Sequence, residues 1–393
     1  MPSFFLHPVG FSRRGRMAAA AVALGAAALA GACDSGPRRP RLPGPSPGEP
    51  TSGRGGGGAL PAGVGPGPVG AGSGSGGGSE AIISDPDGPC DAGLDVDDPA
   101  ARNAARALGL CKDKDPDDDG DWGVISTRWS MVDGAPLPSG IEDAYAIGHG
   151  ILDVSFGRNS LRPLEGDRFL LLSTGAAREP NRPGYAAERD KGYLGSPPDG
   201  FPREATQCGG IVTGPPHDDI ALEVTMKAPP GAEGLAFDFI FYTREWPVYV
   251  CTTFNDFFVA LLSPRRAGQA TDNISFDGLG NPISVNAAFL DVCDCPGTGD
   301  CTVPPATPQF DYACNEGDLA LQDTGFDSDP QFPQWSHGAT QWLTTVAPVA
   351  PEETVTLRFA AWDSADGIFD SSTLIDDFRW RGRVEGPPVT EPR

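Results

Sequence analysis

The feature that most restricts the fold is a repeated period of two. "IALEVTM" sets Ile220, Leu222, Val224 and Met226 on one side, "LAFDFIFY" aligns Phe237, Phe239 and Phe241, and "VTLRFAAW" aligns Val355, Leu357, Phe359 and Ala361. Successive side chains of a strand point to opposite faces. This alternation, with its aromatic and β-branched content, therefore predicts antiparallel strands that each bury one face. From Trp122 onward Gly, Pro, Asn and Asp separate such runs, and no long amphipathic helix pattern intervenes. The expected fold is all-β, an antiparallel, jelly-roll-like β-sandwich with long loops.

Only part of the chain can take that form, because 53 Gly and 41 Pro are spread over 393 residues. Arg13, Arg14 and Arg16 precede the apolar run "MAAAAVALGAAALAGAC", which predicts a signal peptide over residues 1–32. It resembles a bacterial lipoprotein signal, with Cys33 as the lipidated residue and the membrane as a partner through that lipid. Ala30 stands where the preferred pattern has Leu. Residues 33–80 are rich in Gly and Pro and read as a disordered tether with a reach of ~35–40 Å. The predicted address is the bacterial cell envelope, at the outer membrane or cell surface rather than the inner membrane. A formal charge of −24 argues against nucleic-acid binding.

Eight cysteines follow Cys33, and an even number in an exported chain reads as disulfides. Cys90 most simply meets Cys111. Cys293, Cys295, Cys301 and Cys314 would staple one long loop, which leaves Cys208 for Cys251 by elimination. Cys90 and Cys111 fall within an acidic segment, 81–121, with Ala101, Ala104, Ala105 and Leu108 at helical spacing and Asp98 as its cap. Asp115, Asp117, Asp119 and Gly120 reproduce the opening of a calcium loop, but Ser126 stands where a bidentate Glu belongs, and a solvated acidic turn competes. Residues 122–382 then hold the sandwich, and 383–393 a flexible tail.

Three blocks carry a further pattern: "FDFIFYTREWPVYVCTTFNDFFVALL", "NISFDGLGNPISVN" and "GATQWLTTVAPVAPEETVTLRFAAWDSADGIFDSSTLIDDFRW". In this order they resemble the choice-of-anchor L domain of exported bacterial proteins, over about Trp122 to Gly382. The resemblance implies a shared domain delivered to the surface by different anchors, here a lipid, and implies no catalytic mechanism. The family's usual E-Y-P-E departs here to Glu245, Trp246, Pro247 and Val248, so one acidic position is missing.

The expectation is accordingly not an enzyme. The folded part lacks a G-x-S-x-G elbow, and His149 and His337, beside glycines, read as turn residues. Carboxylates are the remaining chemistry. In "TLIDDFRW", alternation puts Leu374, Asp376, Phe378 and Trp380 on one face and Ile375, Asp377 and Arg379 on the other. Asp376 would then be buried and in need of backbone N–H bonds, a cation or a metal, with Asp377 solvated beside Arg379. Asp363, Asp366 and Asp370 link two strands, and Glu245, Asn255 and Asp256 lie in another connection. Were the two connections to meet, these six and Asp376 could hold a structural Ca²⁺. The competing reading makes Asp256 and Asp370 turn caps. Trp246 and Tyr249 would be exposed rings for a sugar or a protein partner, whereas Trp342, Trp362 and Trp380 would pack. The functional expectation is a binding or adhesion module for an unknown glycan or protein. Its alternatives are a hydrolase of polysaccharide or peptide using Asp363, Asp366 and Asp370, and a purely structural envelope component.

Overall fold

Thirteen short strands and two short helices are formed by the residues that a computed structural model describes, namely 81–153, 156–157, 161–287, 289–293, 314–327 and 337–393. Cys33, the tether, Cys295 and Cys301 lie outside those residues. In chain order the elements are β1 (Ile82–Ile83), α1 (Ala101–Arg106), β2 (Gly123–Ser130), α2 (Glu142–Ala146), β3 (His149–Leu152), β4 (Phe169–Ser173), β5 (Pro216–Lys227) and β6 (Gly234–Thr243). There follow β7 (Phe257–Ser263), β8 (Ile283–Ser284), β9 (Gly338–Ala339), β10 (Leu343–Pro348), β11 (Thr354–Ser364), β12 (Ser371–Arg381) and β13 (Val389–Pro392).

The strands form two antiparallel sheets packed as a sandwich. One runs β13-β10-β6-β12-β4-β3, with β1 added to β12 and β9 to β6, and the other runs β2-β5-β11-β7-β8. The alternating residues meet between them as expected. Phe237 of β6 stands edge-on to Phe359 of β11 at 4.9 Å, and Phe239 packs on Phe258 of β7 at 4.8 Å. The second faces are covered too, contrary to the expectation of one buried face. Phe156, Leu321 and Phe326 cover Leu171, Tyr242 and Leu374 on one outer side, while Val132 and Phe201 cover Val259, Ala360 and Trp362 on the other. All ten residues of β6 are buried in consequence. Long loops with apolar residues of their own make this three-layer burial, which alternation within a strand cannot reveal.

Among the described residues three disulfides form, Cys90–Cys111, Cys208–Cys251 and Cys293–Cys314, in the pairing expected for the first two and across the long loop for the third. The acidic segment is integrated rather than separate: Ala104, Ala105, Leu108 and Leu110 enter the inter-sheet core, and Ile83 pairs with Trp380. Asp98 does not cap α1. Ala100 holds that position without a side-chain bond, and Asp98 instead accepts the Ala100 N–H at 2.9 Å and the Asn103 amide at 2.6 Å. Leu108 lies past the helix end but is fully buried. The tail expected to be flexible contains β13, which pairs with β10 from Leu343↔Pro392 to Val346↔Val389 and so completes a sheet edge.

In β12 a register shift falls between Asp376 and Arg379, with Asp377 at φ 50°. Such a bulge inserts one residue and reverses the facing of all that follow. Ile375, Phe378 and Trp380 therefore join the inter-sheet core, while Leu374 lies on the outer side. The expected single face shared by Leu374, Asp376, Phe378 and Trp380 is thus broken at the bulge.

The segment before the sandwich is held by Asp91, whose buried Oδ2 accepts the N–H groups of Asp167 and Arg168, each at 2.6 Å. Gly166 lies at φ +65° directly against that carboxylate, where a Cβ would collide with it. Asp91→Ala should cost about 3 kcal/mol by leaving two N–H groups without their charged acceptor. Chemical denaturation checks this, and an unchanged midpoint would show that the segment is merely laid on the surface.

Candidate functional site

Two connections cross between the sheets at one end of the sandwich: residues 244–256 lead from β6 to β7, and residues 365–370 lead from β11 to β12. Inward-facing rows run toward this end on four strands: Phe241 and Thr243, Phe258, Phe359 and Ala361, and Ile375 and Thr373. Continuing the same parity beyond the apolar core gives Glu245, Asp256, Asp363 and Ser371. All four are buried.

Asp256 fastens the two connections. Its Oδ1 accepts the Ser364 N–H at 3.0 Å and its Oδ2 the Ser371 hydroxyl at 2.6 Å, while the Ser364 hydroxyl donates to the Asn255 carbonyl at 2.7 Å. The Arg244 N–H reaches the Asp370 carbonyl at 3.3 Å. Glu245, Asp256 and Asp363 each bring one carboxylate oxygen within 4.8 Å of the others. Glu245 also accepts the Asp256 N–H at 3.3 Å. Among the described residues no N–H or hydroxyl donates to either oxygen of Asp363, whose side-chain neighbour is the Asp256 carboxyl.

Burial, reinforced by the neighbouring acids, raises Glu245 and Asp363 well above the usual carboxylate range. Burial also pushes Asp256 and Asp370 up to about 7, although hydrogen bonds pull both back. Three such groups cannot all be ionised in a dry site without a proton or a cation between them. Lys191 is the nearby buried amine. Its Nζ donates to the Ser173 carbonyl at 3.1 Å, and burial lowers its pKa to about 8 against the opposing pull of Asp218, Asp370, Asp219 and Asp363. The Arg244 guanidinium turns to the Gly325 carbonyl and lies over the Phe326 ring at 5.0 Å.

Of the seven acids and amides expected to gather, three meet and the others hold the backbone. Asp370 accepts the Arg189 N–H at 2.9 Å and fills the space where a Gly175 side chain would stand. Asp366 caps its turn through the Ile368 N–H at 3.1 Å, and Asn255 accepts the Asn286 N–H at 3.3 Å. Asp376 is fully buried as expected, but its partners are the N–H groups of Leu164 at 2.5 Å, Glu165 at 3.4 Å and Asp377 at 2.7 Å. Six strand residues, about 20 Å, separate it from Asp370, so it is no part of the cluster. Asp377 pairs with Arg379 at 3.0 Å but is half-buried rather than solvated.

At the acidic turn the Asp121 carboxylate takes the Asp115 N–H at 2.7 Å and the Lys112 amine at 3.0 Å, and Lys114 donates to the Asp115 and Asp118 carbonyls. Those contacts hold its pKa near 2, with the Asp115 N–H the largest influence. The turn is closed by lysines.

The rings and imidazoles also differ from expectation. Trp246 is only 1% exposed, packed beneath Gly338, and Tyr249 is half-buried against Phe254 and Phe369. A sheltered interior exists here because the loops carry their own apolar residues. Both histidines are buried. His337 bonds the Arg244 carbonyl through Nδ1 at 2.9 Å, and His149 opens β3 stacked on Trp129 at 4.1 Å. Lys191, Arg244, Asp218 and Asp219 were not singled out from sequence. The Asp pair directly before "IALEVTM" was the one available signal.

These features define a cross-sheet β-sandwich domain with a buried carboxylate cluster at its loop end. The Choice-of-anchor L domain matches over residues 159–378, more than half of the 393, and the chain belongs to that family. The match is narrower than the expected 122–382 and leaves out β2 and β3, which complete the two sheets. No curated protein and no solved structure matches the chain. With three disulfides, an anchor-type domain suggests an extracellular protein.

Burial, followed by the charges of Arg178 and Lys191, lowers the His149 pKa to about 4. Its folded pKa thus lies below the unfolded value of about 6.5, so its contribution is complete above pH 6.5 and is lost as pH falls toward 4. Between pH 7 and pH 5 the loss is about 2 kcal/mol. In His149→Gln the thermal midpoint should fall by about 4 °C less over that interval than in the wild type. Equal falls would mean that the imidazole is hydrated in the folded state.

Proposed function

We propose that the chain is an exported protein, lipid-anchored to the cell envelope through Cys33, whose sandwich is a non-catalytic binding or adhesion module for a glycan or protein. The observation that carries this reading is the construction of the loop end. The Cys208–Cys251 disulfide fastens the loop before β5 to the connection after β6, and the buried acids fasten that connection to the one between β11 and β12. Loops held in one conformation lose little entropy when they bind. From these segments Leu194, Val212 and Ile368 project as exposed apolar side chains. Of the acids that a hydrolase would use, Asp363 and Asp370 are buried in the packing, and Asp366 is half-buried and caps a turn.

Two experiments test the parts separately. Cys33→Ala should move the protein from the detergent phase to the aqueous phase on Triton X-114 partition of whole cells, and retention in the detergent phase would refute the lipid anchor. For the module, the purified full chain on a glycan array and cells carrying it in an attachment assay should both register binding. Replacing Leu194, Val212 and Ile368 with Ser should reduce it at least tenfold with the thermal midpoint unchanged. No binding in either assay would favour a purely structural component, and release of sugars or peptides from the array would favour the hydrolase.

A further inference from the structure

We propose that Glu245, Asp256 and Asp363 form a site for one calcium ion, which ties the two cross-sheet connections together. The inference does not depend on what the surface binds. It begins from Asp363, which is 0% exposed and, among the described residues, receives no N–H or hydroxyl at either oxygen, its side-chain neighbour being the Asp256 carboxyl. Other buried acids accept backbone N–H groups: Asp370 from Arg189, Asp218 from Lys191 and Tyr193, and, farther along β12, Asp376 from Leu164 and Glu165. Asp363 instead faces two further carboxylates. An ionised carboxylate without a donor or cation is strongly disfavoured in an interior, so this arrangement calls for shared protons or, in their place, a cation at its centre.

The geometry suits calcium. Three carboxylate oxygens converge within 4.8 Å of one another, close enough for one ion at a Ca–O distance of about 2.4 Å to reach all three. The donors are all oxygen, which selects a hard cation over a transition metal. His337 turns Nδ1 to the Arg244 carbonyl, Cys251 is committed to a disulfide, and His217, the β5 register partner of Asp363, is not among the three groups that converge. Magnesium demands octahedral geometry and sheds water reluctantly, whereas calcium accepts an irregular set from a dry pocket. Asp256 already receives Ser364 and Ser371, so an ion on its carboxylate would bear on both connections at once.

The test uses the full chain, stripped with chelator and titrated at pH 7.5 with calcium chloride and, in parallel, magnesium chloride. Calorimetry should give one calcium per chain, and saturation should raise the thermal midpoint by about 5 °C, with magnesium at least tenfold weaker. Asp363→Asn should lose the calcium response yet keep a cation-free midpoint no lower than the wild type, since it removes one of three repelling charges. Asp366→Asn, at the turn cap, should keep the response. Should Asp363→Asn fail to fold, Glu245→Gln is read in its place. Absence of calcium heat with an unchanged midpoint, or a full response in both ligand variants, would overturn the site. Equal affinity for magnesium would overturn the assignment to calcium.

Discussion

Three carboxylates turned toward one another in a dry interior are the constraint around which the loop end of this sandwich is arranged. Along most of each strand the inward positions are apolar, and burial of Phe237, Phe239, Phe258 and Phe359 drives the sheets together. At one end the same inward rows run on into Glu245, Asp256 and Asp363. The backbone there is irregular, because the chain must cross from one sheet to the other twice. Charge-assisted hydrogen bonds from Ser364 and Ser371 to Asp256 give those crossings fixed positions that apolar contact alone would not specify.

Around that knot the design is layered. Lys191 supplies a buried positive charge on the Asp218 and Asp370 side, and the Cys208–Cys251 bridge holds the outer loop to the same connection. The apolar loop residues Phe201 and Phe326 cover the outer faces of the sheets, which removes water from strands that would otherwise be wet on one side. Removing water is also what raises the acids. Burial thus both stabilises the fold and raises the acids at its end: covering loops seal the outer faces, and the two crossings close the space between the sheets.

Sequence alone reached the sandwich, two of the disulfide pairs and the family, because alternation, cysteine parity and motif order are local signals. It also named the three cluster acids, though among four companions that do other work. Asp376 was rightly read as buried, but its partners lie in a loop more than two hundred residues away, and a contact of that separation leaves no local trace. The bulge at Asp377 is likewise silent, since an aspartate at φ 50° looks like any other aspartate in a strand. Trp246 was misread as exposed for a related reason: whether a loop lies on the surface depends on what packs above it, here Gly338. Continuing strand parity past the last apolar residue would have separated Asp363 from Asp366 and Asp370.

The proposed cation, held between the two crossings, would order both. Hydrogen–deuterium exchange of the full chain, with calcium and with chelator, tests it most directly. The account requires the amides of 245–256 and 364–371 to gain protection together with calcium, while those of β13 and the distant half of β10 stay unchanged. Protection of only one connection, or identical exchange in both conditions, would contradict it.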